Sequence, residues 1–216
     1  MVFTAQDKAM MDCSFNSMRH VNEGLRRLTL EEAVLDVSHY PLFSSKSDAD
    51  TKMLDAVPEE YIVSEHEKGF LDSYGEYGVV LSEERGRSNR NKVHPSTPFV
   101  ISDPLDGSTR LKRQLEEYLG RFRNVGEMFD YLKDKLGGLS HIEAPASSVT
   151  QIKDGEIKYS LLLNLFNEEV YAAFEEGIFA GGLSDCAGIS DLISDKNRIG
   201  WRMDIPSSRG EGKKPF

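Results

Sequence analysis

Residues 98–109 constrain this chain more than any other stretch. Pro98-Phe99-Val100-Ile101 is an apolar run with strand character, and Ser102-Asp103-Pro104-Leu105-Asp106-Gly107-Ser108-Thr109 follows it directly. Two carboxylates three residues apart therefore leave a strand and enter a glycine turn that opens a helix. A second acidic pair, Glu83-Glu84, ends another short apolar run, Gly78-Val79-Val80-Leu81. Four carboxylates at the ends of two neighbouring strands repel one another unless cations sit between them.

Hard oxygen donors of this kind select Mg²⁺, Mn²⁺ or Ca²⁺ over zinc. Asp103 is suited to bridge two ions, with Glu83 on one and Asp106 on the other. Ions paired about 3.5–4 Å apart clamp the attacking and leaving oxygens of a phosphoryl transfer. Gly107, Ser108 and Thr109 add the other half. Glycine lets the chain turn closely, and the helix that follows offers free N–H groups and its positive dipole end to an anion. An Asp-Pro-x-Asp-Gly string on its own is equally a capped turn, with Asp106 or Ser108 as the cap. The Glu83-Glu84 pair behind a second strand favours the metal-and-phosphate reading.

These residues resemble the inositol monophosphatase / fructose-1,6-bisphosphatase superfamily of lithium-sensitive, Mg²⁺-dependent phosphatases. Its pattern is an Asp, then Glu-Glu, then Asp-Pro-Ile/Leu-Asp-Gly-Thr/Ser, then Trp-Asp-x-x-Ala-Gly near the C-terminus. Leu81-Ser82-Glu83-Glu84-Arg85-Gly86 and Ser102–Thr109 match the two central elements, and Lys46–Asp55 is similar to the first. The resemblance runs over residues 5–110 and, more loosely, 147–180.

The resemblance implies an α+β fold, a layered α/β sandwich of the sugar-phosphatase type, with two N-terminal helices packed on a mixed, largely antiparallel sheet. It implies Glu83 and Asp103, joined by the backbone carbonyl of Leu105, as ligands of a first metal, and Asp103 and Asp106 as ligands of a second. The cofactor would be two or three Mg²⁺ ions, with Mn²⁺ as a substitute. Ser108, held by Asp55, would position a nucleophilic water near Glu83. Glu83, Ser108 and Asp55 are then the catalytic set, and Gly107, Ser108 and Thr109 the phosphate cradle. The implied activity is hydrolysis of a phosphate monoester of a small sugar, inositol or nucleotide by metal-activated water, in a homodimer.

Three departures matter. Arg110 stands where the family usually has Asn. Leu111–Leu136 is a charged helical stretch that reads as an insertion over about residues 111–140. The Trp-Asp-x-x-Ala-Gly element is missing: Asp185-Cys186-Ala187-Gly188 echoes it only faintly, and Trp201 is followed by Arg202. The chain thus reads as the N-terminal part of a longer enzyme. Residues 1–180 are expected to form a metal- and phosphate-binding domain, and 181–216 the start of a largely missing second domain or a tail. The alternative function is a non-catalytic or incomplete metal- and phosphate-binding domain that needs the missing C-terminal half.

A net charge of −10 over 216 residues argues against nucleic acid or acidic membrane surfaces as partners. No apolar run approaches the ~18–20 residues that span a membrane, and the first residues lack a signal-peptide pattern. Cys13 and Cys186 carry no ligand spacing. The expectation is a cytoplasmic protein acting on a small phosphorylated substrate. Met11, Phe15, Met18, Val21, Leu25 and Leu28 predict helix over residues 5–37, interrupted by a capping box at Thr29 and Glu32. Pro58 is expected to open a helix running to about Tyr74. Gly120 and Gly126 are expected to break the helical insertion. Residues 85–97 read as a polar, basic loop. Asp154-Gly155 predicts a hairpin turn between Val149–Lys153 and Ile157–Leu165, with Val170–Phe174 as a third strand.

Overall fold

The computed structural model describes residues 4–35, 52–83, 86–88, 96–136 and 145–200. Glu84, most of the 85–97 loop, the upstream acidic stretch before Lys52, the end of the 111–140 insertion, Trp201 and the 201–216 tail lie outside the described residues.

Helix α1 (Ala5–Arg27) begins with a reciprocal cap: the Thr4 hydroxyl accepts the Asp7 N–H at 3.1 Å, and the Asp7 carboxylate accepts the Thr4 N–H at 3.3 Å. The expected Met and Phe stripe is its buried face, with Met11, Phe15, Met18, Val21 and Leu25 at most 1% exposed. Thr29 and Glu32 cap the short α2 (Leu30–Ala33) in the same way, so the helix breaks where the capping box lies.

Helix α3 (Met53–Tyr74) departs from the sequence expectation. It starts at Met53, ahead of Pro58, and carries the proline inside it. The Asp55 carboxylate accepts the Lys52 N–H at 3.4 Å and fixes the first turn. The proline forfeits one early i→i−4 bond, which burial of Leu54, Ile62 and Phe70 offsets. Asp55 is therefore a helical residue with a defined direction. Gly75, left-handed at φ 70°, closes α3.

The strands are β1 (Val79–Ser82), β2 (Gly86–Arg87), β3 (Phe99–Asp106), β4 (Ala146–Lys153), β5 (Glu156–Asn164), β6 (Glu169–Phe174), β7 (Gly177–Gly182) and β8 (Arg198–Gly200). They form one sheet in the order β2-β1-β3-β4-β5-β6-β7-β8. β1 and β3 run parallel, and every other neighbouring pair is antiparallel. The β4–β5 hairpin turns through Asp154 and Gly155, both at positive φ (56° and 75°), as a two-residue loop of this hand requires. Val100, Val149, Tyr159, Leu161, Val170, Ala172 and Phe179 alternate onto one buried face. Helices α1 and α3 pack against the sheet, α3 over β1 and β3 and α1 over β4 and β5. Ile101 and Leu162 are exposed. The result is a mixed α+β fold with a largely antiparallel sheet.

The insertion forms α4 (Ser108–Tyr118) and α5 (Val125–Leu136). Gly120, left-handed at φ 74°, lies in the break between them, whereas Gly126 sits inside α5 and does not interrupt it. Val125, Met128 and Phe129 bury α5 against the core. Residues 183–200 continue on the same sheet: α6 (Ile189–Leu192) buries Ile189 and Leu192, and β8 pairs with β7. Among the described residues no helix is long and apolar enough to cross a membrane.

Candidate metal and phosphate site

The parallel pairing of β1 and β3 builds the site. Val79 pairs with Phe99 and Ser82 with Ser102, so β1 ends opposite Ser102 of β3 and Glu83 emerges beside Asp103. Parallel strand ends of this kind are where open sheets place ligands. The ladder from β3 to β4 is irregular between Asp103 and Asp106, which lets the chain swing through Pro104 and Leu105 before Gly107. Gly107 is left-handed at φ 84°, a conformation that a Cβ disfavours, and it directly precedes α4. The first N–H groups of α4 therefore face outward at Gly107, Ser108 and Thr109. No acidic residue in the first turn of α4 competes for them.

Asp55, Glu83, Asp103, Pro104 and Leu105 line one shallow surface depression. Asp103 is its centre. Burial, then the charges of Glu83 and Asp106, then a hydrogen bond shared with Glu83, push its pKa up to about 6, while the Leu105 N–H works against the rise. The other Asp103 oxygen, Oδ1, is buried and has no hydrogen-bond partner. Asp55 reaches the depression from α3. Its pKa is raised by burial and by the charge of Glu83, and lowered by a hydrogen bond from the Ser108 hydroxyl, by the Lys52 N–H and by nearby Lys112.

The structure thus brings Asp55, Glu83, Asp103 and Leu105 to one place, with Asp106 close enough to act on Asp103, and sets Ser108 against Asp55. Gly107 and Thr109 flank Ser108 at the helix start. Glu84 lies outside the described residues. Among the described residues no three His, Cys, Asp or Glu side chains already form a cation cage. The donor set nevertheless suits a hard cation. It offers carboxylates and a peptide carbonyl, it repels itself without positive charge, and it holds one buried oxygen that nothing in the protein satisfies.

Two residues beneath the site were missed by the sequence reading. Glu59, wholly buried one turn along α3 from Asp55, accepts a hydrogen bond from the Ser82 hydroxyl. The signal was an i, i+4 spacing of acids, legible only once α3 is known to start before Asp55. A second buried polar group lies farther along α3. His66 Nδ1 contacts the Ile62 carbonyl at 2.7 Å, and Nε2 contacts the Ser14 hydroxyl at 2.8 Å. Ser14 lies 2.7 Å from the Tyr159 hydroxyl, which donates to the Met10 carbonyl at 2.9 Å. This serine–histidine pair is fully buried, so no substrate reaches it. Cys13 is inert as a nucleophile, because burial pushes its thiol up to about 12.

No protein-family model and no curated protein sequence matches the chain. Its neighbours among solved structures are inositol monophosphatase and SuhB proteins. Extragenic suppressor protein SuhB from Bartonella henselae is 19% identical at a TM-score of 0.44, covering 82% of this chain and 52% of its own. A Pyrococcus horikoshii protein with similarities to inositol-1 monophosphatase is 22% identical at a TM-score of 0.46, covering 84% and 53%. A calcium-bound IMPase family protein from Staphylococcus aureus is 16% identical at a TM-score of 0.47, covering 84% and 52%. The chain spans about half the length of these proteins.

Proposed function

We propose that this chain carries the metal- and phosphate-binding machinery of a Mg²⁺-dependent phosphomonoesterase acting on a small sugar, inositol or nucleotide ester. One observation carries the reading: Asp55, Glu83, Asp103 and Leu105 converge around a buried, unpartnered Asp103 oxygen, next to an open helix N-terminus. Glu83, Asp103 and the Leu105 carbonyl would hold one cation, and Asp103 with Asp106 a second. A divalent cation, when bound, supplies Lewis-acid polarisation of phosphoryl oxygens and lowers the pKa of water.

The chain's own groups have separable tasks. The N–H groups of Gly107, Ser108 and Thr109 receive phosphate oxygens, aided by the positive end of α4. The Ser108 hydroxyl gives its proton to Asp55, so its oxygen is left to accept from water. Asp55 thereby fixes the direction in which a water is held. Glu83 lines the same depression and would take up the proton the water releases.

Phosphate release from inositol phosphate, fructose 1,6-bisphosphate and 3′-phosphoadenosine phosphates, with and without Mg²⁺, tests the reading. Mg²⁺-dependent turnover that Li⁺ inhibits is expected. Asp106→Asn should lower it by more than about 100-fold, since even partners outside the ligand shell cost 10–100-fold. Near-normal turnover by that variant would remove Asp106 from the metal site. A second reading starts from the faint match of Asp185-Cys186-Ala187-Gly188 to the last family element. In that reading the chain binds Mg²⁺ and phosphate but turns over only with a further C-terminal half. Binding without turnover is its signature.

A further inference from the structure

We infer that Glu59 and Ser82 are positioning residues that hold the strand end carrying Glu83 in register with Asp103, an inference that rests on the metal reading above. Ser82 and Ser102 lie directly opposite each other in the β1–β3 pair, immediately before Glu83 and Asp103. Both serines are buried, and each is tied to a different element. The Ser102 hydroxyl donates to the Ser148 carbonyl of β4 at 3.0 Å, and the Ser82 hydroxyl donates to Glu59 of α3. The two strands that carry the acids are thus each held by a further element, β3 by β4 and β1 by α3.

Glu59 is an unusual residue to find there. A carboxylate at 0% exposure carries a large desolvation cost, and folds retain one only where hydrogen bonds compensate it. One helical turn earlier on the same face, Asp55 holds the Ser108 hydroxyl. A single face of α3 therefore sets two things at once: the hydroxyl at the head of α4 through Asp55, and the end of β1 through Glu59. The spacing of one turn between the two acids fixes the distance between the anion cradle and the carboxylates. Losing the Ser82–Glu59 bond frees the end of β1 while leaving the head of α4 in place.

The discriminating experiment is Mn²⁺ binding and inorganic phosphate binding by the full chain, each followed calorimetrically. Ser82→Ala is expected to weaken Mn²⁺ about 10- to 100-fold, as loss of outer-shell support does, with phosphate affinity unchanged within about twofold. Ser82→Thr, which restores the hydroxyl, and Glu59→Gln, which keeps the acceptor oxygen, should both stay within about threefold of wild type. Ser14→Ala disturbs an equally buried serine far from the site and should lower the melting temperature without moving Mn²⁺ affinity. Wild-type Mn²⁺ affinity in folded Ser82→Ala overturns the inference, and so does a Glu59→Gln defect as deep as that of Ser82→Ala. If the wild-type chain binds no Mn²⁺, the phosphatase reading fails, and the inference is decided by the amide NMR shifts of Glu83 and Asp103. They should move in Ser82→Ala and not in Ser14→Ala; unchanged shifts in both overturn it.

Discussion

Helix α3 carries two polar clusters, and they are built on opposite principles. At its start, Asp55 faces the acids Glu83 and Asp103, and Glu59 one turn on holds Ser82 beneath them. About three turns later, His66 joins Ser14 and Tyr159 in a sealed network. In the sealed cluster each polar side-chain atom meets a partner, and burial is complete. In the open cluster like charges crowd together, the Asp103 carboxyl has its pKa pushed up to about 6, and its buried Oδ1 goes unmet. Satisfied buried networks hold folds together, whereas partly satisfied ones persist where a ligand completes them. The same helix serves both ends.

The sharpest way to break the contrast is to neutralise the centre of the open cluster. Asp103→Asn should abolish Mg²⁺-dependent phosphate release, by more than about 100-fold, while making the metal-free protein more stable by about 0.5–2 kcal/mol, because strained functional sites give up stability. Urea unfolding in chelator reads the gain. Mg²⁺ at one hundred times its dissociation constant should stabilise wild type by roughly 2.7 kcal/mol and leave the variant unmoved. A variant that is inactive and also less stable in chelator would make Asp103 a structural acid like those of the sealed cluster.

The open cluster was far more legible in the sequence than the sealed one. Asp103, Asp106 and Gly107 stand in one short string after an apolar run, so local chemistry announces them. That Glu83 and Asp103 come from neighbouring strands was legible in two similar strand-and-acid segments; that those strands run parallel was not. Asp55 was named, but its helical setting was missed, because Pro58 looked like a helix start and in fact lies in the second turn of α3. Ser14, His66 and Tyr159 come from α1, α3 and β5, and no local pattern joins residues 145 positions apart. Glu59 was hidden for a different reason: its partner Ser82 is reached only through the tertiary fold.

The sealed cluster should reveal itself through acid. Burial lowers the pKa of His66 from 6.5 to about 4, against a smaller upward pull from its bond to Ile62. Between those values the unfolded chain binds a proton that the folded chain refuses. Stability from this residue is therefore whole above pH 6.5, falls as pH drops through that value, and is fully lost near pH 4. The 2.5-unit gap corresponds to about 3 kcal/mol at 1.36 kcal/mol per unit. Urea midpoints measured from pH 7 to pH 4 should slope more steeply for wild type than for His66→Asn. Parallel slopes would show that His66 takes up its proton without unfolding.

Tyr159→Phe tests how complete the sealed network is. His66 Nδ1 faces a carbonyl and must carry the proton, so neutral Nε2 accepts from Ser14, and the Ser14 oxygen accepts from Tyr159. The single Tyr159 proton is then shared between Ser14 and the Met10 carbonyl. Removing the hydroxyl deprives two acceptors of one donor, which should cost about 1 kcal/mol at pH 7 and leave phosphate release untouched. It should also deepen the acid loss. A charged His66 donates from Nε2 to Ser14, whose own proton then needs the tyrosine oxygen as acceptor, and phenylalanine offers none. The pH-dependent difference between Tyr159→Phe and wild type should therefore widen only as pH falls to about 4 and below, where folded His66 takes up its proton, read as a growing gap in urea midpoints. A constant gap would mean that the tyrosine supports the fold through its ring alone and that the hydroxyl chain does not act as one unit.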